Sequence, residues 1–317
     1  MAERNFERID TNGVTLETVV EGDGPLVILL HGWPQCWYLW RHQIDPIANA
    51  GFRVAVPNQR GYGGSSAPRD PAAYNIRELA ADVVGISSAL GYEEFTLIGH
   101  DWGCIAAWNT ALLHEDTCTA IMGLSVPFWR LSPHFVNPRE EGFWYARLFQ
   151  TVGLAETDLE ADIEGSLAGI YYALGGDVPP GTFLKQIEHP ATASFREVFP
   201  PPEKLPGWLT QRDLDVYVAE FRKSGFHGPN SWYRNIPTNN ADTPELEGKR
   251  FRQPAAFAAG ALDIALMIDP DWRSGFESSF DDLRFVEIIE GAGHWVQMEK
   301  PAETNAAILR FLDSLGR

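Results

Sequence analysis

Short apolar runs alternate with helical patterns along much of the chain, and this alternation limits what it can fold into. The runs are "VTLETVV" (14–20), "LVILL" (26–30), "FRVAV" (52–56), "FTLI" (95–98), "AIMGLSV" (120–126), "AAFAAG" (255–260) and "RFVEII" (284–289). Their lengths, β-branched content and flanking turn residues read as strands. The first two are split by "EGDGP", whose Gly and Pro turn the chain. Between "FRVAV" and "FTLI", Ile76, Leu79, Ala80, Val83, Val84 and Leu90 recur on one helical face behind Asn75, a good N-cap. Strand, helix, strand in succession demands a mostly parallel sheet covered on both faces, since a parallel crossover must leave the sheet and return. Sites in such sheets gather beyond the carboxyl ends of the strands, so the loops after strands carry the most information.

The alternation lapses from Pro127 to Gly248, where aromatic helical segments such as "GFWYARLFQ" and "RDLDVYVAEFRKSGF" are broken by "FPPPEKLPG" and no strand run occurs. The expected organisation is a core of residues 1–126 and 249–317 with a helical lid of 127–248 inserted between them. With 317 residues and 44% hydrophobic content, the chain can bury a full core.

A formal net charge of −18 repels nucleic acid and anionic membranes, which argues against partners of either kind. Cys36, Cys104 and Cys118 are odd in number and lack metal-ligand spacing, as suits free thiols in a reducing compartment. "MAERNFERID" has no apolar stretch and "LVILL" is too short to cross a bilayer, so a cytoplasmic location is expected.

The chemistry is concentrated in the loops after strands. "FTLIGHDWGCIAAW" (95–108) runs from an apolar strand through Gly-x-Asp-x-Gly into a helix, the outline of a nucleophile elbow with Asp101 at its apex. Alone, Gly-x-Asp-x-Gly is an ordinary turn composition; the flanking strand and helix give it meaning. "AAGALDIAL" offers Asp263 after its strand, and "IIEGAGHWVQ" offers His294 after the last strand. Nucleophile, acid and His thus follow in the chain order that an elbow requires. Asp263 taken singly could be an N-cap, but "SVPF" at 125–128 supplies no competing carboxylate. "HGWPQ" (31–35) leaves the strand "LVILL", so the backbone N–H groups of Trp33 and Trp102 are the candidate oxyanion hole.

A carboxylate nucleophile also selects the substrate. Asp, with an unperturbed pKa of about 3.9, is ionised at neutral pH and attacks without a base. At an sp3 carbon bearing a leaving group it forms an alkyl ester, and His294 oriented by Asp263 would then activate water against the Asp101 carbonyl. A halide leaving group needs only N–H donors, which the indoles of Trp33 and Trp102 could supply. An opening epoxide generates an alkoxide and wants an acidic O–H.

The stretches "HGWPQCWYLWRHQI", "NQRGYGGSSAP", "GHDWG", "FWYARLFQ", "KSGFHGPNSWYRN" and "GAGHWVQMEKP" together resemble the epoxide hydrolases of the α/β-hydrolase family across nearly the whole chain. The resemblance implies the α/β-hydrolase fold: a mostly parallel twisted sheet flanked by helices, with an inserted helical lid. It implies two lid tyrosines that hold the epoxide oxygen and protonate it, matched at Tyr145 and Tyr233, with Tyr171 and Tyr172 outside the matching segment. It also implies a cis peptide before Pro34, and no metal or organic cofactor. Asn58 departs from the family pattern, where Asp is usual, and this puts only local loop hydrogen bonding in question. The expected partners are a small epoxide and water, with a homodimer left open. Trp37, Phe128, Phe143 and Trp144 are candidates for an apolar pocket.

Haloalkane dehalogenases are the nearest rival, but they commonly carry Asn or another halide donor at the position of Trp33. A fluoroacetate-type dehalogenase would show Arg where Trp102 stands. A non-catalytic receptor would be expected to lose Asp101, Asp263 or His294, and all three are present.

Overall fold

The computed structural model describes residues 4–138, 141–269 and 271–316. Eight strands form one sheet, built from β1 (Phe6–Thr11), β2 (Val14–Glu21), β3 (Leu26–Leu30), β4 (Arg53–Pro57), β5 (Phe95–His100), β6 (Cys118–Leu124), β7 (Ala255–Gly260) and β8 (Leu283–Ile289). Their spatial order is β1-β2-β4-β3-β5-β6-β7-β8. Pairings from β4 through β8 are parallel, with registers such as Ile98 against Met122 and Gly123 against Phe257; β2 is antiparallel to β4 and to β1. β3 and β5 are buried along their whole length, as strands covered on both faces must be.

The order places the site. From β3 the chain moves outward to β4, then returns across the sheet to β5 on the other side of β3. The loops leaving β3 and β5 therefore diverge at the switch point of the sheet, where open α/β folds form their crevice. The loop after β3 begins with His31 and Gly32, and the loop after β5 is Asp101.

The strand absent from the sequence expectation is β1. It pairs with β2 around Asn12 and Gly13, with φ of 43° and 74°. Two consecutive positive φ values are the signature of the tight hairpin turn that Asn-Gly favours. The helix Ile76–Ala89 starts where expected, with the Asn75 side chain accepting from the N–H groups of Arg77 and Glu78.

Among the described residues between β6 and β7 there is no strand. This segment contributes helices, including Tyr145–Leu148, Ile163–Leu174, Gln211–Ser224 and His227–Arg234. Gln211–Ser224 begins with a Thr210/Asp213 capping box and buries Leu214, Tyr217, Val218 and Phe221 on one face, at the spacing of an amphipathic helix. Among the described residues no helix is long and apolar enough to cross a membrane.

Candidate active site

β5 delivers Asp101 into a backbone conformation few residues adopt, φ 54° and ψ −122°, immediately before the helix Trp102–Leu113. Such strain costs on the order of 1–3 kcal/mol and persists only where the surroundings impose it. Here they do: a Cβ on Gly103 would run into the carbonyls of Leu30 and His31, so the helix start lies directly against the end of β3. Asp101 makes no side-chain cap of the helix that follows it. Its Oδ1 instead accepts from the Trp33 N–H at 2.7 Å, and the Trp102 N–H lies beside the carboxylate and favours its charged form. The peptide between Trp33 and Pro34 is cis.

Asp263 follows β7 and is fully buried. Its Oδ1 accepts from the Ala265 N–H at 2.9 Å, so it does cap the short helix Ile264–Ile268, and from Nδ1 of His294 at 2.9 Å. A buried carboxylate without a cation costs several kcal/mol, so the imidazole is held to it strongly. The opposite nitrogen, Nε2, lies 3.4 Å from Asp101 Oδ2.

The His294 backbone is held from two sides. Its carbonyl accepts from Ser125 Oγ and His100 Nε2, both at 2.8 Å, at the ends of β6 and β5. Its N–H donates to Leu174 O at 3.0 Å, at the end of the helix Ile163–Leu174. Nearby, the Trp295 indole donates to Tyr171 O at 2.8 Å.

The ionisations follow from this arrangement. Burial works against a charged His294, but Asp263 and Asp101 outweigh it and raise its pKa from 6.5 to about 10. Burial likewise opposes a charged Asp101, yet His294 above all, with His100 and the Trp102 N–H, holds it below its usual value. The resting pair is therefore imidazolium and carboxylate. His100 is pushed down to about 4, first by burial and then by the His294 charge, and stays neutral.

Across the cavity, the rings of Tyr145 and Tyr233 lie 5.5 Å apart at 81°. Burial, followed by the neighbouring tyrosine for Tyr233 and the Asp101 charge for both, raises both phenols above the usual range. The Trp33 indole donates to Asn230 Oδ1 at 3.2 Å, and the Trp102 ring packs edge-on against Tyr233 at 4.9 Å. Tyr171 sits elsewhere: its hydroxyl donates to Pro34 O at 2.7 Å, beneath the loop that carries Trp33.

Asp101, His294, Trp33, Trp102, Tyr145 and Tyr233 all line one cavity enclosing about 640 Å³ with its open mouth. The rest of its wall is apolar, from Trp129, Leu131, Phe135 and Phe183 on one side to Ile264, Ala265 and Ile268 on another. Ile268 is 45% exposed and marks the mouth. The sequence expectation for the pocket is corrected here, since Trp37, Phe128 and Trp144 are not in this wall. Trp37 packs edge-on against Phe6 and Tyr38, Phe128 against Phe251, and Trp144 stands behind Phe135, donating to its carbonyl at 2.8 Å. Phe143 packs against Phe199. Sequence reading also passed over His100 and Ser125, whose position at the ends of β5 and β6 was the available signal.

The unusual Asn58 is accounted for by its neighbours. Its Nδ2 donates to Glu17 at 2.8 Å and Glu220 at 2.9 Å while its Oδ1 accepts from the Trp37 N–H at 3.0 Å. An ionised Asp there would offer no donor to either glutamate.

Residues 25–167 match a family described as having the alpha/beta hydrolase fold. Epoxide hydrolase A of Mycobacterium tuberculosis is 41% identical over 318 residues, covering 97% of each chain. Epoxide hydrolase B of the same organism is 36% identical over 328 residues, covering 92% of each. Among solved structures, an epoxide hydrolase from an endophytic Streptomyces has a TM-score of 0.95 at 38% identity, covering 99% of this chain and 97% of that one. Epoxide Hydrolase A from Mycobacterium thermoresistibile has a TM-score of 0.90 at 39% identity, covering 98% of each chain.

Proposed function

We propose how this chain, which belongs to the epoxide hydrolases of the α/β-hydrolase fold and converts an epoxide and water to a vicinal diol, performs that reaction with the residues of its cavity. Asp101 is the nucleophile. Its Oδ1 is occupied by the Trp33 N–H, which leaves Oδ2 to attack an epoxide carbon and form the alkyl ester. Tyr145 and Tyr233 hold the epoxide oxygen, and one of them protonates it as the ring opens. Burial keeps both phenols protonated, and the alkoxide of an opening epoxide is basic enough to take a proton from either.

The ester then changes the electrostatics of the base. Alkylation removes the Asp101 charge, one of the two that keep His294 protonated, so the imidazole pKa falls from its resting value of about 10. The proton released restores the tyrosine. Neutral His294, held by Asp263, next takes a proton from water as that water attacks the Asp101 carbonyl, and the N–H groups of Trp33 and Trp102 stabilise the oxyanion on Oδ1. Collapse frees the diol and returns carboxylate and imidazolium, so protons balance over the cycle.

The observation that carries this reading is that Asp101 shares one largely apolar cavity with His294, itself held by Asp263, and with the facing pair Tyr145 and Tyr233. The rival chemistry at this elbow, halide release, would need two free indole donors, and the Trp33 indole already donates to Asn230. Residues 127–248 act as the lid that supplies the tyrosines, and the apolar wall suits aryl and alkyl epoxides. The three buried free thiols accord with work in the cytoplasm. The test is a parallel assay of styrene oxide, aliphatic epoxides and 1-haloalkanes, following diol and halide, with Asp101→Asn as control. Diol without halide, lost in the mutant, is expected; halide release from 1-haloalkanes would show that the tyrosine assignment is wrong.

A further inference from the structure

Beside His294 lies a carboxylate that the mechanism above does not use. Glu299, at the end of the short helix Val296–Glu299, turns back under the loop that carries His294. Its Oε2 accepts from the N–H of Gly293 at 2.9 Å and from the N–H of Gly176 at 2.8 Å, and its Oε1 accepts from the N–H of Trp295 at 3.0 Å. Gly293 and Trp295 are the residues on either side of His294, while Gly176 belongs to the helical segment between β6 and β7. Three backbone donors thus converge on one half-buried side chain, and bonds of N–H groups to an ionised acceptor are about twice as strong as neutral ones.

The contact between the two loops is backbone to backbone. A Cβ on Gly176 would stand 2.7 Å from the Gly293 nitrogen and 2.8 Å from Glu299 Oε2. Only glycine permits this approach, and the Leu174 carbonyl uses it to receive the His294 N–H at 3.0 Å.

We propose that Glu299 is a positioning residue for His294, tying the peptides on both sides of the base to Gly176 so that the lid, as well as the sheet, sets where the imidazole stands. The inference rests on the role proposed for His294 in ester hydrolysis. Alkylation needs Asp101 ionised and the tyrosines in place, and neither depends on this clamp. Hydrolysis needs Nε2 aimed at a water over the ester carbonyl, and misplacement by about 1 Å can cost on the order of 100-fold. The clamp therefore acts on the second half-reaction. Burial raises the Glu299 pKa first of all, and the three N–H groups counter it. An amide would keep one acceptor oxygen and turn its NH2 toward another donor.

The experiment is rapid-quench mass spectrometry of the Asp101 ester in single turnovers of styrene oxide, comparing wild type, Glu299→Gln and Gly176→Ala. Gly176→Ala pries the clamp from the lid side, its Cβ pressing on the Gly293 nitrogen and Glu299 Oε2 while both of those residues stay unchanged, so the test does not depend on one variant folding well. In both variants the alkylation rate is expected to hold while hydrolysis slows by about 10- to 100-fold, so that ester accumulates at steady state. Hydrolysis at the wild-type rate in both variants would overturn the proposal. So would a parallel loss of both half-reactions, or a fall only in the fraction of enzyme that alkylates, since either would mean a merely structural role. His294→Gln, run alongside with Glu299 intact, separates the two levels: if it hydrolyses its ester normally, the assignment of His294 is wrong and the positioning role falls with it.

Discussion

The two halves of the cavity are built differently. On the sheet side, Asp101, Asp263 and His294 each stand in the loop after a strand, and the spacing of β5, β7 and β8 brings them together. On the lid side, Tyr145 and Tyr233 come from two short helices whose packing depends on a web of aromatic contacts, among them Trp33 to Phe149 at 5.0 Å and Phe149 to Tyr233 at 5.1 Å. In the proposed mechanism the sheet side would supply the groups that make and break the ester, and the inserted segment would supply the donors for the departing oxygen; that segment also lines much of the apolar wall. A regular scaffold thus carries the general part of the chemistry, and an irregular insertion carries the part that is specific to the substrate.

That division can be broken by separating the half-reactions. The largest effect is expected for His294→Gln, which should lower turnover by about 10⁴-fold or more while leaving a stable adduct on Asp101 after epoxide treatment. Mass spectrometry that finds no adduct, under conditions where wild type turns over, would count against the covalent route. Next comes the lid: Tyr145→Phe and Tyr233→Phe should each slow ring opening by roughly 100-fold, and the double variant by far more, without any ester accumulating. Near-normal diol formation by the double variant would move the donors elsewhere.

The smallest expected effect is on stability and comes from the sheet side alone. His294 has a folded pKa raised from 6.5 to about 10, so its contribution is fully present below pH 6.5 and is lost as pH rises toward 10. The urea midpoint of wild type should therefore fall with pH across that window more steeply than that of His294→Gln. Equal slopes would mean that the imidazole is not held charged between its two carboxylates.

The same division decided what could be read from the sequence. Asp101, Asp263 and His294 were legible because strand runs locate loops, and loops after strands locate such residues in order. Tyr145 and Tyr233 were legible only through the resemblance, since a tyrosine on a short helix carries no mark of the face it presents. Trp37, Phe128 and Trp144 failed for the related reason that aromatic character predicts burial but not what lies opposite. β1 was missed because "FERIDT" is a half-exposed edge strand with charged residues on its open face, although the Asn12-Gly13 pair beside "VTLETVV" was a usable hairpin signal. Glu299 shows a further limit: its partners are peptide N–H groups, which leave no trace in residue identity.

The bond from the His294 N–H to Leu174 also bears on molecular traffic. Together with the Trp33 indole on Asn230 and the Trp295 indole on Tyr171, it fastens the insertion to the core at three places around the reacting atoms. Lifting the insertion to load each substrate would have to break these bonds, including the one that holds the His294 backbone. The cavity already opens beside the exposed Ile268, and passage there would leave those bonds intact while its size sorted epoxides before any of them met the nucleophile.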